Sequence, residues 1–197
     1  SGGSGGGGVG GDEDGGGGGG RPAGADDVQM QFDVAQEDLG RASESLSSLQ
    51  SALRDGDPDI IEEGINDAEA AMGQSVESLQ GLRRELDANE VGEGGMAGAR
   101  MDSYIIPHME SWIEDENQPG SLADMRQVLE EQRANLGLPE DEQTDDFGSF
   151  SLAADRMDAY IIPHVDDWLN DENQIGSLAS IEQEINSWVE GVDSEGE

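Results

Sequence analysis

The sequence predicts an all-α protein, a long antiparallel helical hairpin followed by two duplicated helix-loop-helix units that form a four-helix bundle. Three observations lead there. Apolar residues recur in alternating steps of three and four from Phe32 to Leu86, the period of packed helices. A complete helix stop and start, LRDGDPDIIEE, interrupts that pattern once. A segment then occurs twice, RMDSYIIPHMESWIEDENQPGSLA at 100–123 and RMDAYIIPHVDDWLNDENQIGSLA at 156–179, identical at 17 of 24 positions at an offset of 56.

Residues 1–26 precede any apolar pattern. Residues 1–24 hold 15 of the 30 glycines, which predicts a disordered Gly-rich tether. The hairpin is expected over 27–92. Its first helix carries a seam at Phe32, Ala35, Leu39, Ala42, Leu46, Leu49 and Leu53. Gly56 suits the left-handed position ending that helix, Asp57 can cap the next, and Pro58 fits its first turn, where Asp59, Glu62 and Glu63 favour the positive end of the helix dipole. The second seam runs Ile61, Ile65, Ala68, Met72, Ser75, Leu79, Leu82 and Leu86. So short a connection makes the two helices antiparallel, each about 40 to 45 Å long at about 1.5 Å per residue.

Residues 93–197 hold the tandem repeat, with copies near 99–137 and 150–190. In the first copy Met101, Tyr104, Ile105, His108, Met109, Trp112 and Ile113 form one helical stripe. Pro107 lies inside it, so either the helix begins a turn earlier or a longer helix kinks there. The upstream SLAADRMDA of the second copy, with Ser151 as a cap, favours the kink. Ser121 with Asp124 resembles a capping box opening a helix through Leu122, Met125, Val128, Leu129 and Leu136, which Gly137 and Pro139 stop. The closing helix of the second copy shows Leu178, Ile181, Ile185, Trp188 and Val189. Each unit has one apolar face, and the two are expected to bury these faces against each other about a pseudo-twofold axis, with the hairpin packed on the bundle or projecting from it.

Charge sets the environment. Forty-six acidic residues stand against nine basic ones, all Arg, for a net charge of −37. Near 1 M salt the Debye length shrinks to about 3 Å and neighbouring carboxylates hardly sense one another, whereas in dilute buffer they repel strongly. Acid-rich, lysine-free and rich in Gly and Ala, the composition resembles proteins of extreme halophiles, above all haloarchaea. The glycine-rich acidic opening, SGGSGGGGVGGDEDGGGGGG, resembles the spacers that follow the lipid-modified cysteine of haloarchaeal surface lipoproteins. That resemblance implies a lipid anchor upstream of Ser1. Removal of an initiator Met, or a linker, would leave the same first residue. So acidic a chain disfavours DNA, RNA and anionic membranes, whose binding rests on Lys and Arg. No run approaches the length of a membrane-spanning helix, which argues against direct membrane insertion. Without cysteine there is neither a disulfide nor a thiolate site.

Two constellations could carry chemistry. After each tryptophan comes a DENQ-x-GS loop, and in the second copy Asp171, Asn173, Gly176, Ser177, Leu178 and Glu182 fall where an EF-hand places loop positions 1, 3, 6, 7, 8 and 12. Asp171, Asn173, Ser177 and Glu182 would be the oxygen ligands for Ca2+ or another cation, weakly held. Ile175 (Pro119 in the first copy) sits where an oxygen ligand is needed, and Arg126 stands where the first copy needs its bidentate Glu. A helix stop followed by a serine cap explains the same residues. The only two histidines, His108 and His164, are equivalents in the repeat, as a shared metal site or pH switch would require, with Glu110, Asp166 and Asp167 nearby. The Tyr-His-Trp stripe also reads as bundle core with hydrogen-bonded polar tips. No Ser/His/Asp spacing, HExxH, Walker loop or strand-led GxGxxG is present, which points to a non-enzymatic protein without a cofactor. The expected function is therefore a salt-adapted helical structural or interaction protein, able to oligomerise, that binds protein partners through helical surfaces. Its arm would tether it to a cell-surface or virion assembly. A cation-binding protein using the DENQ loops and an acidic mimic of nucleic acid are the alternatives.

Overall fold

Eight α-helices account for most of the chain in the computed structural model, which describes residues 21–144 and 148–195. Helices α1 (Ala25–Asp55) and α2 (Pro58–Ala88) form the hairpin, α3 (Ala97–Ser103), α4 (Ile105–Glu114) and α5 (Leu122–Leu136) the first copy, and α6 (Gly148–Ala159), α7 (Ile161–Asn170) and α8 (Leu178–Glu195) the second. Residues 1–20 of the expected tether lie outside the described residues. Its last two residues belong to α1, where Ala25 is buried.

The hairpin turns as its local chemistry dictates. Gly56 takes φ 82° and its N–H reaches the Ala52 carbonyl at 2.9 Å; Asp57 caps α2 by accepting from the Asp59 N–H at 3.0 Å, with Pro58 in the first turn. Every predicted seam residue of both helices is buried. At about 1.5 to 3 kcal/mol per fully buried large apolar side chain, this double seam is the main cohesive element of the molecule.

Pro107 and Pro163 do break their helices. A proline lacks the N–H that would bond the carbonyl four residues back, and its ring crowds that carbonyl. The chain responds one residue later in that turn: Tyr104 and Tyr160 leave helical geometry at φ/ψ −122°/−67° and −123°/−74°, separating α3 from α4 and α6 from α7. Ser151 is not a cap, because α6 already begins at Gly148. Nor does Leu136 reach the core; it is more than half exposed at the end of α5.

The two copies bury their apolar faces chiefly against the hairpin rather than chiefly against each other. Helices α3, α4 and α5 pack along α2, and α6, α7 and α8 pack along α1, so that one continuous core runs through hairpin and repeats. A pseudo-twofold axis therefore relates the whole body, exchanging α1 with α2 as well as copy with copy. Both hairpin helices have 31 residues, and at an offset of 33 their seams coincide: Val28/Ile61, Phe32/Ile65, Ala35/Ala68, Leu39/Met72, Ala42/Ser75, Leu46/Leu79, Leu49/Leu82 and Leu53/Leu86. The polar contacts obey the same symmetry. Gln50 on α1 donates to Asp158 on α6 at 3.1 Å, and its equivalent, Arg83 on α2, pairs at 2.9 Å with Asp102 on α3, the equivalent of Asp158.

Candidate functional site at the junction of the copies

Where the copies meet, each contributes the same parts in reverse. The His108 ring lies 5.9 Å from that of Trp168, tilted by 44°, and the His164 ring lies 5.2 Å from that of Trp112, tilted by 47°. Both tryptophans are only 3% exposed, but both histidines are exposed, and Tyr104 and Tyr160 remain 39% and 40% exposed. The stripe is therefore split, with its tryptophans in the core and its tyrosines and histidines at the surface. The physical reason is that steps of four residues drift by about 40° each around a helix, and the break at the tyrosine resets the phase.

The histidines are anchored alike. His164 Nδ1 lies 2.6 Å from the Tyr160 carbonyl, and His108 Nδ1 bonds the Tyr104 carbonyl. A carbonyl oxygen only accepts, so Nδ1 carries the proton and Nε2 holds the lone pair of the neutral ring. The bond also occupies a carbonyl at the helix break. Glu110, Asp166 and Asp167 are exposed. Among the described residues no three His, Asp or Glu side chains converge as a metal-holding group.

The DENQ loops are stop-and-cap devices with matching hydrogen bonds. In the second copy Asp171 Oδ1 accepts from the Asn173 N–H at 2.9 Å, the Asp171 carbonyl accepts from Ser177 Oγ at 2.7 Å, and Ser177 Oγ accepts from the Ser180 N–H at 3.0 Å. In the first copy Asp115, Asn117, Ser121 and Asp124 make the same three bonds at 2.9, 2.7 and 3.0 Å. Asp171, Asn173 and Ser177 thus stand together in one loop, with Asp171 Oδ1, the Asn173 N–H and Ser177 Oγ engaged in the turn and cap. Glu182 is exposed on α8, and the side chain that turns back toward the loop is Gln183, which donates to Glu172 at 2.9 Å. The first copy makes the same turn despite Pro119 and Arg126, so the loop shape does not depend on a cation-ligand set.

Each loop is pressed against the opposite copy at its glycine. Gly120 and Gly176 take φ 85° and 81°, and a methyl group on either would stand 2.8 Å from the Arg156 carbonyl oxygen or 3.0 Å from that of Arg100. The arginines at these turns cross the junction as well. Arg156 pairs with Asp124 on α5 at 2.9 Å, and Arg100 pairs with Glu184 on α8, a contact that raises the Arg100 pKa above its ordinary value. Arg54 is raised likewise by hydrogen bonds to Asp155 and Asp158, and Arg83 by its bond to Asp102. Counted together, Arg54, Arg83, Arg100, Arg126, Arg133 and Arg156 each bridge one helix to another, six of the nine arginines.

The sequence reading missed two features. The cross-copy contacts of Arg100 and Arg156 left no linear trace. The symmetry of the hairpin did: at the offset of 33, eight of 31 positions are identical, including Gly40/Gly73, Glu44/Glu77 and Ser45/Ser78. No known family model matches the chain, and no curated protein or solved structure shows significant similarity to it.

Proposed function

We propose that this chain is a non-enzymatic, salt-adapted helical interaction protein, carried on its glycine-rich N-terminal arm within a cell-surface or virion assembly. The observation that carries the proposal is the use made of the scarce cations. With 46 acids and nine arginines, two thirds of the positive charge clamps helix to helix, around a body whose paired loops engage Asp115, Ser121, Asp171 and Ser177 in turns and caps. Such a body acts by presenting a rigid surface. Individual exposed ion pairs contribute only about 0 to 1 kcal/mol, too little to offset dense carboxylate repulsion in dilute buffer, whereas molar salt screens that repulsion. Among the described residues no helix is long and apolar enough to cross a membrane, so attachment would fall to the arm or to partners. Helicity and the thermal midpoint should climb as KCl rises toward about 1 M, where the Debye length is about 3 Å. Full helicity and an unchanged midpoint in dilute buffer would remove salt adaptation from the proposal. Cross-linking at molar salt that recovers the chain alone would remove the interaction role.

A further inference from the structure

Between α3 and α8 runs an open groove of about 680 Å3, with Ile175, Trp188 and Glu93 among its lining residues. Arg100 lines it too but is neutralised by Glu184, so Glu93 leaves the groove with unbalanced negative charge on a body of net charge −37. Ile175 is 49% exposed, and Trp188 is half-buried.

The loop turn does not ask for an apolar residue at Ile175, and Trp188 lines the groove as well as packing against the core. The equivalent loop in the first copy makes the same turn and cap with Pro119 in place of Ile175, and the equivalent of Trp188 is Gln132 on α5. A second cavity, about 640 Å3 between the ends of α1 and α5 and the start of α6, includes Gln132, the equivalent of Trp188, but is otherwise lined mostly by other positions, among them Leu53, Leu136 and Phe150. The framework is common to the copies, and Ile175 and Trp188 are particular to one of them.

We infer that the α3–α8 groove is a docking surface for a Lys- or Arg-bearing amphipathic segment of a partner protein. Its apolar side chains would seat against Ile175 and Trp188, and its cationic groups would meet Glu93 and the surrounding carboxylates. This inference rests on the chain being an interaction protein and names the face and the partner chemistry. Exposed apolar surface next to carboxylates recognises the stem and head of long basic side chains together, which neither feature does alone. A second copy of this chain, with nine arginines against 46 acids, has few cationic groups to set against Glu93 and is a poorer occupant.

The test uses the full chain in about 1 M KCl, where bare charge attraction is screened, and an amphipathic Leu/Lys peptide as probe with a Leu/Glu peptide of the same pattern as control. Saturable 1:1 binding of the Leu/Lys peptide is expected, read by tryptophan fluorescence and calorimetry. Ile175→Asp, at an exposed position, should weaken it about tenfold or more with an unchanged thermal midpoint; Trp188→Ala should weaken it likewise and abolish the fluorescence response, while lowering the midpoint because Trp188 also packs against the core. Binding that disappears at this salt, is matched by the Leu/Glu peptide, or is indifferent to both substitutions overturns the groove assignment. Indifference with binding retained places the partner on another face, so the interaction role survives the loss of this one.

Discussion

The two copies of the repeat share a framework and differ in what they display. Their loops make matching hydrogen bonds, their helices break at equivalent tyrosines, and each histidine lies against the other copy's tryptophan. Yet Pro119 faces Ile175 across the comparison, Val128 faces Glu184, and Gln132 faces Trp188. The arginines mark the divide most clearly. Arg156 and Arg100 are equivalents, but Arg156 reaches Asp124 in the first turn of α5, while Arg100 reaches Glu184 one turn further along α8. What is held in common does mechanical work at the junction. What differs includes three residues of the second copy, Ile175, Glu184 and Trp188, that all line the α3–α8 groove.

Substitutions made in equivalent pairs can break or sharpen that comparison. The largest effect is expected from Trp112→Ala and Trp168→Ala, each about 3 to 5 kcal/mol by chemical denaturation in molar KCl, because both rings are buried. Losses that differ by more than the lower of the two would show that the junction is not energetically symmetric. Next come Gly120→Val and Gly176→Val, each about 2 to 3 kcal/mol, combining a left-handed backbone with an intruding side chain. Gly120 should be the more sensitive, since the approach there is 2.8 Å against 3.0 Å. Ser121→Ala and Ser177→Ala should each cost about 1 to 2 kcal/mol, as buried caps that also donate to a carbonyl. Equal losses there, alongside unequal peptide binding by the two grooves, would separate framework from display. The smallest effect belongs to the clamps. Arg126→Gln, which unpairs Glu69 on α2, should cost about 1 kcal/mol or less, shrinking further as KCl is raised.

Much of this body is written locally. Gly56, Asp57 and Pro58 turn the hairpin because each carries its own backbone preference, and Ser121 and Ser177 cap because a side-chain oxygen lies within reach of an N–H three residues on. The prolines announced a break, although the residue that absorbs it is the tyrosine three positions earlier, where the carbonyl clash is relieved. The Tyr-His-Trp stripe was legible only as amphipathic. Its division into buried tryptophans and exposed histidines follows from the drift of four-residue steps together with the break at the tyrosine, and the place of that break was not legible beforehand. Ile175 gave no signal beyond an apolar residue where a ligand oxygen would have been expected, and its exposure follows from Gly176 pressing the loop onto the Arg100 turn.

The sequence by itself determined the helices, their ends, the duplication and the acid-rich surface, because periodicity, capping and net charge are properties of neighbours along the chain. Only the tertiary structure decided that each copy packs on its own hairpin helix and that one pseudo-twofold axis runs through the whole body. Only the tertiary structure, too, decided that six arginines bridge helices. An apolar face specifies that it will be buried but not against which of several similar faces, and that choice was made by shape, by close approach at two glycines, and by a few cations placed between helices otherwise covered in carboxylates.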